Sequence, residues 1–137
     1  MLSPGVSARP LTALIVDDEP HVRVYIRTML QRLGVVTTWQ VGCGQSALES
    51  YRDNRPDVVL LDVNLPYMPG TEILRCLIDL DPDVAVIVVT SDQSGDTIKA
   101  VCALGAVGYV LKQLPPIEMQ QALAEALSRV EPRPDDE

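Results

Sequence analysis

"VVLLDVNLPYMPG", residues 58–70, is a run of branched apolar residues that stops on a single carboxylate, Asp62, and passes at once into a loop carrying Pro66, Pro69 and Gly70. Consecutive apolar residues without polar alternation suit a strand buried on both faces, as in a parallel sheet covered by helices on each side. A strand of that kind ends by presenting an acid at the sheet edge. What the acid does there depends on what the neighbouring strands bring beside it.

Working outward, "LTALIV" (11–16) is a second apolar strand, and it too ends on acids, in "DDEP". Val22, Tyr25, Ile26, Met29, Leu30 and Leu33 then recur at helical spacing until Gly34 stops the helix. "VVTTWQV" (35–41) reads as a strand, the turn "GCG" follows, and a helix runs from about Gln45 to Asn54. After the central strand, "TEILRCLIDL" is helical, with Thr71 placed to cap it and Asp81-Pro82 marking its break. "VAVIVVT" (84–90), a helix over 93–104 ending at Gly105, the strand "VGYVL", and a last helix after Pro115-Pro116 complete the series, with Met119, Leu123, Leu127 and Val130 on one face.

Strand and helix alternate five times, which predicts a doubly wound α/β domain over residues 11–130. Residues 1–10 are expected to be a flexible lead-in, and the acidic "EPRPDDE" (131–137) a solvated tail or linker stub. In a doubly wound sheet the C-terminal strand ends share one edge, where ligands bind. The residues leaving those ends are Asp17-Asp18-Glu19, Gly42-Cys43-Gly44, Asp62, Thr90-Ser91 and Lys112.

Composition narrows the chemistry. A length of 137 residues with 47% hydrophobic content suffices for one core, and the absence of Phe leaves Val, Leu, Ile, Ala and Met to fill it. A formal net charge of −8 argues against direct nucleic-acid binding, which needs clustered Lys and Arg. Cys43, Cys76 and Cys102 are far apart and form no metal or redox spacing. No run approaches the ~18 apolar residues of a membrane helix, and a cytoplasmic location is expected.

Asp17, Asp18 and Asp62 brought to one edge repel one another unless a cation intervenes. A hard divalent ion, Mg²⁺ or Mn²⁺, relieves that repulsion better than Zn²⁺ or Ca²⁺, whose ligand spacings are missing. A carboxylate so placed can attack phosphorus, with Lys112 and the Thr90 hydroxyl contacting phosphoryl oxygens. Each residue also has a bland role: helix cap for Asp17-Asp18, loop residue for Asp62, strand-end hydroxyl for Thr90, solvated charge for Lys112. Their coincidence on one edge favours the chemical role.

With those residues in hand, the chain resembles the receiver domain of two-component response regulators. The resemblance rests on "LIVDDEP", "LLDVNLPYMPG", "VVTS" and "GYVLK". It implies the flavodoxin-like strand order 2-1-3-4-5 and phosphorylation of Asp62 by a histidine kinase or a histidine phosphotransfer protein. Asp18 would bind Mg²⁺ directly and Asp17 mainly through water, and the Asn64 main-chain carbonyl would add a ligand. Thr90 and Tyr109 would form the switch, remodelling the face built from the fourth helix, fifth strand and last helix, through which a homodimer can form or a downstream target or output domain can read the signal. Chemistry would be limited to self-phosphorylation and hydrolysis, tuned by Asn64 and Asp92 toward a short-lived phosphoryl state.

Two departures stand out: Gln113 replaces the proline that usually follows the lysine in a cis peptide, and Cys43 replaces a small polar residue. His21, a lone histidine at the start of the first helix, has merely polar character. Competing readings are a haloacid dehalogenase type phosphatase, which needs an acid where Asn64 stands, and a degenerate receiver acting as a phosphorylation-independent protein-binding scaffold. A flavin or dinucleotide protein lacks support because no GxGxxG follows the first strand.

Overall fold

Strands β1 (Thr12–Val16) and β3 (Val58–Leu61) lie side by side near the centre of a parallel sheet, which β2 (Thr37–Val41) extends on one side and β4 (Val86–Thr90) and β5 (Gly108–Leu111) on the other. The structure is a computed structural model and describes residues 9–134. The sheet order is β2-β1-β3-β4-β5, the predicted arrangement, and every pairing is parallel. Helices α1 (Pro20–Arg32), α2 (Gly44–Asn54), α3 (Gly70–Leu80), α4 (Gly95–Leu104) and α5 (Pro116–Leu127) connect the strands.

The period of two along each strand divides the apolar residues between two cores. Ala13, Ile15, Val58, Leu60, Ile87 and Val89 face α1 and α5, where Ile26, Leu30, Met119 and Leu123 meet them. Leu14, Val16, Val59, Leu61, Val86 and Val88 face the opposite layer, with Tyr51, Ile73, Leu74 and Leu77. All residues of β3 and β4 are buried, as the unbroken apolar runs require. Each fully buried Leu or Ile side chain contributes about 1.5–3 kcal/mol, so the central strands are the most firmly held part of the sheet.

Several boundaries differ from the sequence expectation. Val35 and Val36 precede β2: Val35 is buried against the first core, while Val36 is exposed. The cap of α3 is Pro69 rather than Thr71, which stands inside the first turn. The reason lies at Gly70, whose N–H donates to the Val63 carbonyl at 3.0 Å. A Cβ at Gly70 would lie 2.1 Å from Val63 Cα, so the helix must start where the chain has no side chain. Tyr25, expected on the buried stripe of α1, is exposed, and Val130 reaches the core from the turn after α5 rather than from the helix.

The segment expected to be a solvated tail makes specific bonds over its described part, residues 131–134. The Arg133 N–H donates to Asp57 Oδ1 at 2.7 Å, its carbonyl accepts from Arg9 Nη2 at 2.7 Å, and its guanidinium bonds Asp81 and the Tyr51 hydroxyl. Arg9 also pairs with both oxygens of Asp57 at 2.8 Å. The chain before β1 and after α5 is therefore joined under the N-terminal edge of the sheet. Most of the expected lead-in and the last three residues lie outside the described range.

Candidate functional site

At the opposite edge, the backbone ladder continues one residue past the strands and fixes the chemistry-bearing residues. Asp17 N–H donates to the Val41 carbonyl at 3.1 Å, Asp62 N–H to Val16 at 3.0 Å, and Lys112 N–H to Thr90 at 2.9 Å. These bonds hold each Cα in register with its neighbour, so side-chain placement does not depend on loop order. Asp17, Asp62 and Thr90 are buried; Asp18 is exposed.

Each buried acid divides its two oxygens between tasks. Asp17 Oδ1 accepts from the Glu19 N–H at 2.9 Å and Asp62 Oδ1 from the Asn64 N–H at 3.0 Å, an Asx-type turn in both cases. The second oxygens converge on one cation: Lys112 Nζ lies 2.7 Å from Asp17 Oδ2 and 2.8 Å from Asp62 Oδ2. Glu19 stands 3.8 Å from the same ammonium. Burial alone would lower the Lys112 pKa, but the two carboxylates outweigh it and hold the amine above its ordinary value, so it stays charged. Asp17 is shifted upward, chiefly because burial opposes its charge more than Lys112 favours it.

The residues fit a hard divalent cation. One oxygen each of Asp17, Asp18 and Asp62 lie within 4.8 Å of one another. Asp17 Oδ2 is buried, and the group that faces it is the Lys112 ammonium at 2.7 Å. An all-oxygen set of this kind suits Mg²⁺ or Mn²⁺. Asn64, expected to add its carbonyl, belongs to the turn that Asp62 Oδ1 holds.

Thr90 connects the pocket to the far side of β4. Its hydroxyl accepts from Asn64 Nδ2 at 3.4 Å and from the Asp92 N–H at 3.3 Å. Asp92 in turn accepts from Ser94 N–H at 2.8 Å and from the Thr97 hydroxyl at 2.9 Å, and its carbonyl accepts from the Tyr109 hydroxyl. The half-buried Tyr109 ring thus ties β5 to the loop that opens α4.

Gln113 does not displace Lys112 from the pocket. No cis peptide occurs among the described residues, and Gln113 Nε2 donates to the Ser91 carbonyl at 3.1 Å, which holds the loop after β5 against the loop after β4. Cys43 precedes α2, and its thiol donates to the Ser46 hydroxyl. His21 is exposed beside a cavity of about 280 Å³ that Tyr25, Met119 and Lys112 also line.

Sequence reasoning missed Arg23, whose Nη1 donates to the Asp17 carbonyl at 2.7 Å and so braces the acid from α1. A basic residue one turn into a helix that begins beside three acids was the signal for it. Gly42 leaves room for this contact, since a Cβ there would lie 3.3 Å from the same nitrogen.

The family model described as "Response regulator receiver domain" matches residues 13–124. The chain is 35% identical over 119 residues to "Response regulator GacA" of Pseudomonas aeruginosa, covering 86% of this chain and 56% of that protein. It is 29% identical over 111 residues to "Chemotaxis protein CheY" of Thermotoga maritima, covering 80% of this chain and 92% of the relative. Among solved structures, a LuxR-family two-component response regulator from Aurantimonas sp. SI85-9A1 superposes with a TM-score of 0.81 at 29% identity, over 88% of this chain and 87% of that one. The chain therefore spans little more than half of one curated relative and nearly all of another. Among the described residues no helix is long and apolar enough to cross a membrane.

Proposed function

We infer that this chain, which belongs to the response regulator receiver domain family, is a phosphorylation-controlled switch that accepts a phosphoryl group on Asp62. Receiver domains bind Mg²⁺ at an acidic pocket and act with kinases or phosphotransfer proteins as signalling modules rather than as metabolic enzymes, and the acid cluster here has the composition such a pocket needs. The observation that carries the reading is the convergence of Asp17 Oδ2 and Asp62 Oδ2 on the Lys112 ammonium at 2.7 and 2.8 Å.

In the transfer, a carboxylate oxygen of Asp62 attacks phosphorus, the bond from phosphorus to the donor's histidine nitrogen breaks, and the electron pair leaves with the imidazole, which is then free to take up a proton. Asp18, Asp62 and the Asn64 carbonyl, with Asp17 mainly through water, would hold Mg²⁺, which would supply charge neutralisation for the phosphoryl oxygens. Lys112 gives a fixed positive charge to one phosphoryl oxygen, and the Thr90 hydroxyl donates to another. The incoming group adds about −1.5 to −2 charges, so Lys112 exchanges a carboxylate partner for a phosphoryl one.

Turning the Thr90 hydroxyl toward the phosphoryl group removes its bond to the Asp92 N–H and loosens the loop that Tyr109 holds. The surface of α4, β5 and α5 changes with it, and it is read by a protein target, by a second copy of the chain or by an output module on the same chain. Cytoplasmic location follows from a kinase donor that uses ATP. Asn64 and Asp92 are small polar groups that leave room for an attacking water, so the phosphoryl state is short-lived; a half-life of many hours in Mg²⁺ would contradict this.

Beryllofluoride, a phosphoryl mimic, added with Mg²⁺ tests the switch by NMR. Shifts at Thr90, Asp92 and Tyr109 that require both additives, and vanish in Asp62→Asn, support it. Unmoved Tyr109 and Asp92 signals with Asp62 perturbed would leave a scaffold that does not read its own phosphorylation.

A further inference from the structure

The loop after Asp62 carries an aromatic side chain that the core does not use. Tyr67 is 102% exposed, and its backbone sits at φ 72°. That left-handed region is costly for a bulky side chain and favours Gly or Asn. The loop around it is well fixed: Leu65 is buried, Met68 packs on the core formed with α2 and α3, and the Gly70 N–H is bonded to Val63. The ring is therefore held outward on a firm base. In a chain with no Phe, one Trp and four Tyr, an aromatic ring left wholly in water on the loop that leaves the proposed acceptor is no consequence of surplus. An unfavourable backbone conformation kept for a side chain without internal burial points to a use outside the chain.

We propose that Tyr67 is an anchoring residue for the protein that hands its phosphoryl group to Asp62. This rests on the function inferred above. The occupant follows from the geometry of transfer: phosphorus must come in line with an Asp62 oxygen, so a protein donor has to lay its surface over the loops around the pocket, and Tyr67 belongs to the loop that leaves Asp62. A tyrosine has few rotatable bonds and a large amphipathic face, so it gives contact area at small entropic cost, and residues of this type dominate interface energetics. Small donors enter the pocket without covering the rim and do not meet the ring. Tyr67 therefore discriminates between classes of donor and leaves the chemistry at Asp62 alone.

The test compares wild type with Tyr67→Gly and Tyr67→Asn, both suited to the backbone conformation at this position. Two donors are used: acetyl phosphate, and the autophosphorylated histidine kinase domain that charges wild type fastest in a purified panel. The expected result is an unfolding midpoint equal to or above that of wild type, unchanged labelling by acetyl phosphate, and a fall in kcat/KM from the kinase domain of at least about tenfold. Equal kinase rates in all three proteins would overturn the proposal. So would a parallel fall with both donors, which would mean that Tyr67 shapes the pocket itself. Failure of acetyl phosphate to label wild type at Asp62 would instead remove the functional reading beneath it, an outcome separable from the other two.

Discussion

Asp17 and Asp62 occupy equivalent ends of adjacent strands, yet their surroundings differ in a way that assigns them different work. Lys112 Nζ reaches Asp62 Oδ2 at 2.8 Å and Asp17 Oδ2 at 2.7 Å, while Arg23 braces the Asp17 carbonyl from α1. Burial raises the pKa of Asp17, so its ionised form disfavours the fold, and its contribution to stability falls as pH rises through the window above the ordinary aspartate value. Asp17→Asn is expected to raise the urea midpoint at neutral pH without Mg²⁺ and to lose most of the midpoint increase that Mg²⁺ gives wild type. Equilibrium unfolding with and without the ion reads both effects. The placement of Asp17, Asp18, Asp62, Thr90 and Lys112 at the C-terminal strand ends was legible in the sequence, because a strand end is legible. The sharing of one ammonium between two acids was not, since Lys112 lies fifty residues beyond Asp62 and side-chain convergence leaves no local pattern.

At the scale of the element, the segment from β3 through its loop to α3 is built on a contact that tolerates no side chain. Gly70 opens α3 against the Val63 backbone, one residue after Asp62. In Gly70→Ala the new methyl must displace main chain rather than a flexible side-chain end. The expected cost is about 1–3 kcal/mol of stability, together with weaker Mg²⁺ binding because the Asp62 turn moves. Thermal unfolding and an Mg²⁺ titration check the two parts separately. Apolar periodicity found every helix and strand here, since burial on a fixed period is what the sequence records. It placed Tyr25 wrongly: the ring stands exposed beside the cavity that His21, Lys112 and Met119 also line rather than in the core. It also put the α3 cap at Thr71, because a hydroxyl is a local signal and the close approach of Val63 is not.

Across the whole molecule, two edges of one sheet carry opposite electrostatic designs. At the C-terminal edge, acids outnumber the cation that faces them; at the N-terminal edge, Asp57 and Asp81 are each met by arginine. Burial opposes their charge, but Arg9 at Asp57 and Arg133 with the Tyr51 hydroxyl at Asp81 prevail and lower both pKa values. Their stabilisation is therefore complete above the ordinary aspartate pKa and is lost as pH falls through the lowered values. Arg133→Ala should cost about 2 kcal/mol at neutral pH and flatten the acid limb of the stability profile, measured by urea unfolding between pH 2 and 7, a range set by the aspartate values of about 3.9 and below. A truncation after Val130 should behave alike. Sequence reading treated "EPRPDDE" as solvated from its charge; Arg133 reaches Asp57 across 76 positions, which composition does not reveal.

Asp62 is the proposed nucleophile. Acetyl phosphate incubation with and without Mg²⁺, followed by peptide mass mapping, tests it most directly. A single phosphoryl group on the peptide bearing Asp62, dependent on Mg²⁺ and absent in Asp62→Asn, is the predicted result. An unmodified wild-type chain, or a phosphoryl group that persists elsewhere in Asp62→Asn, would contradict it.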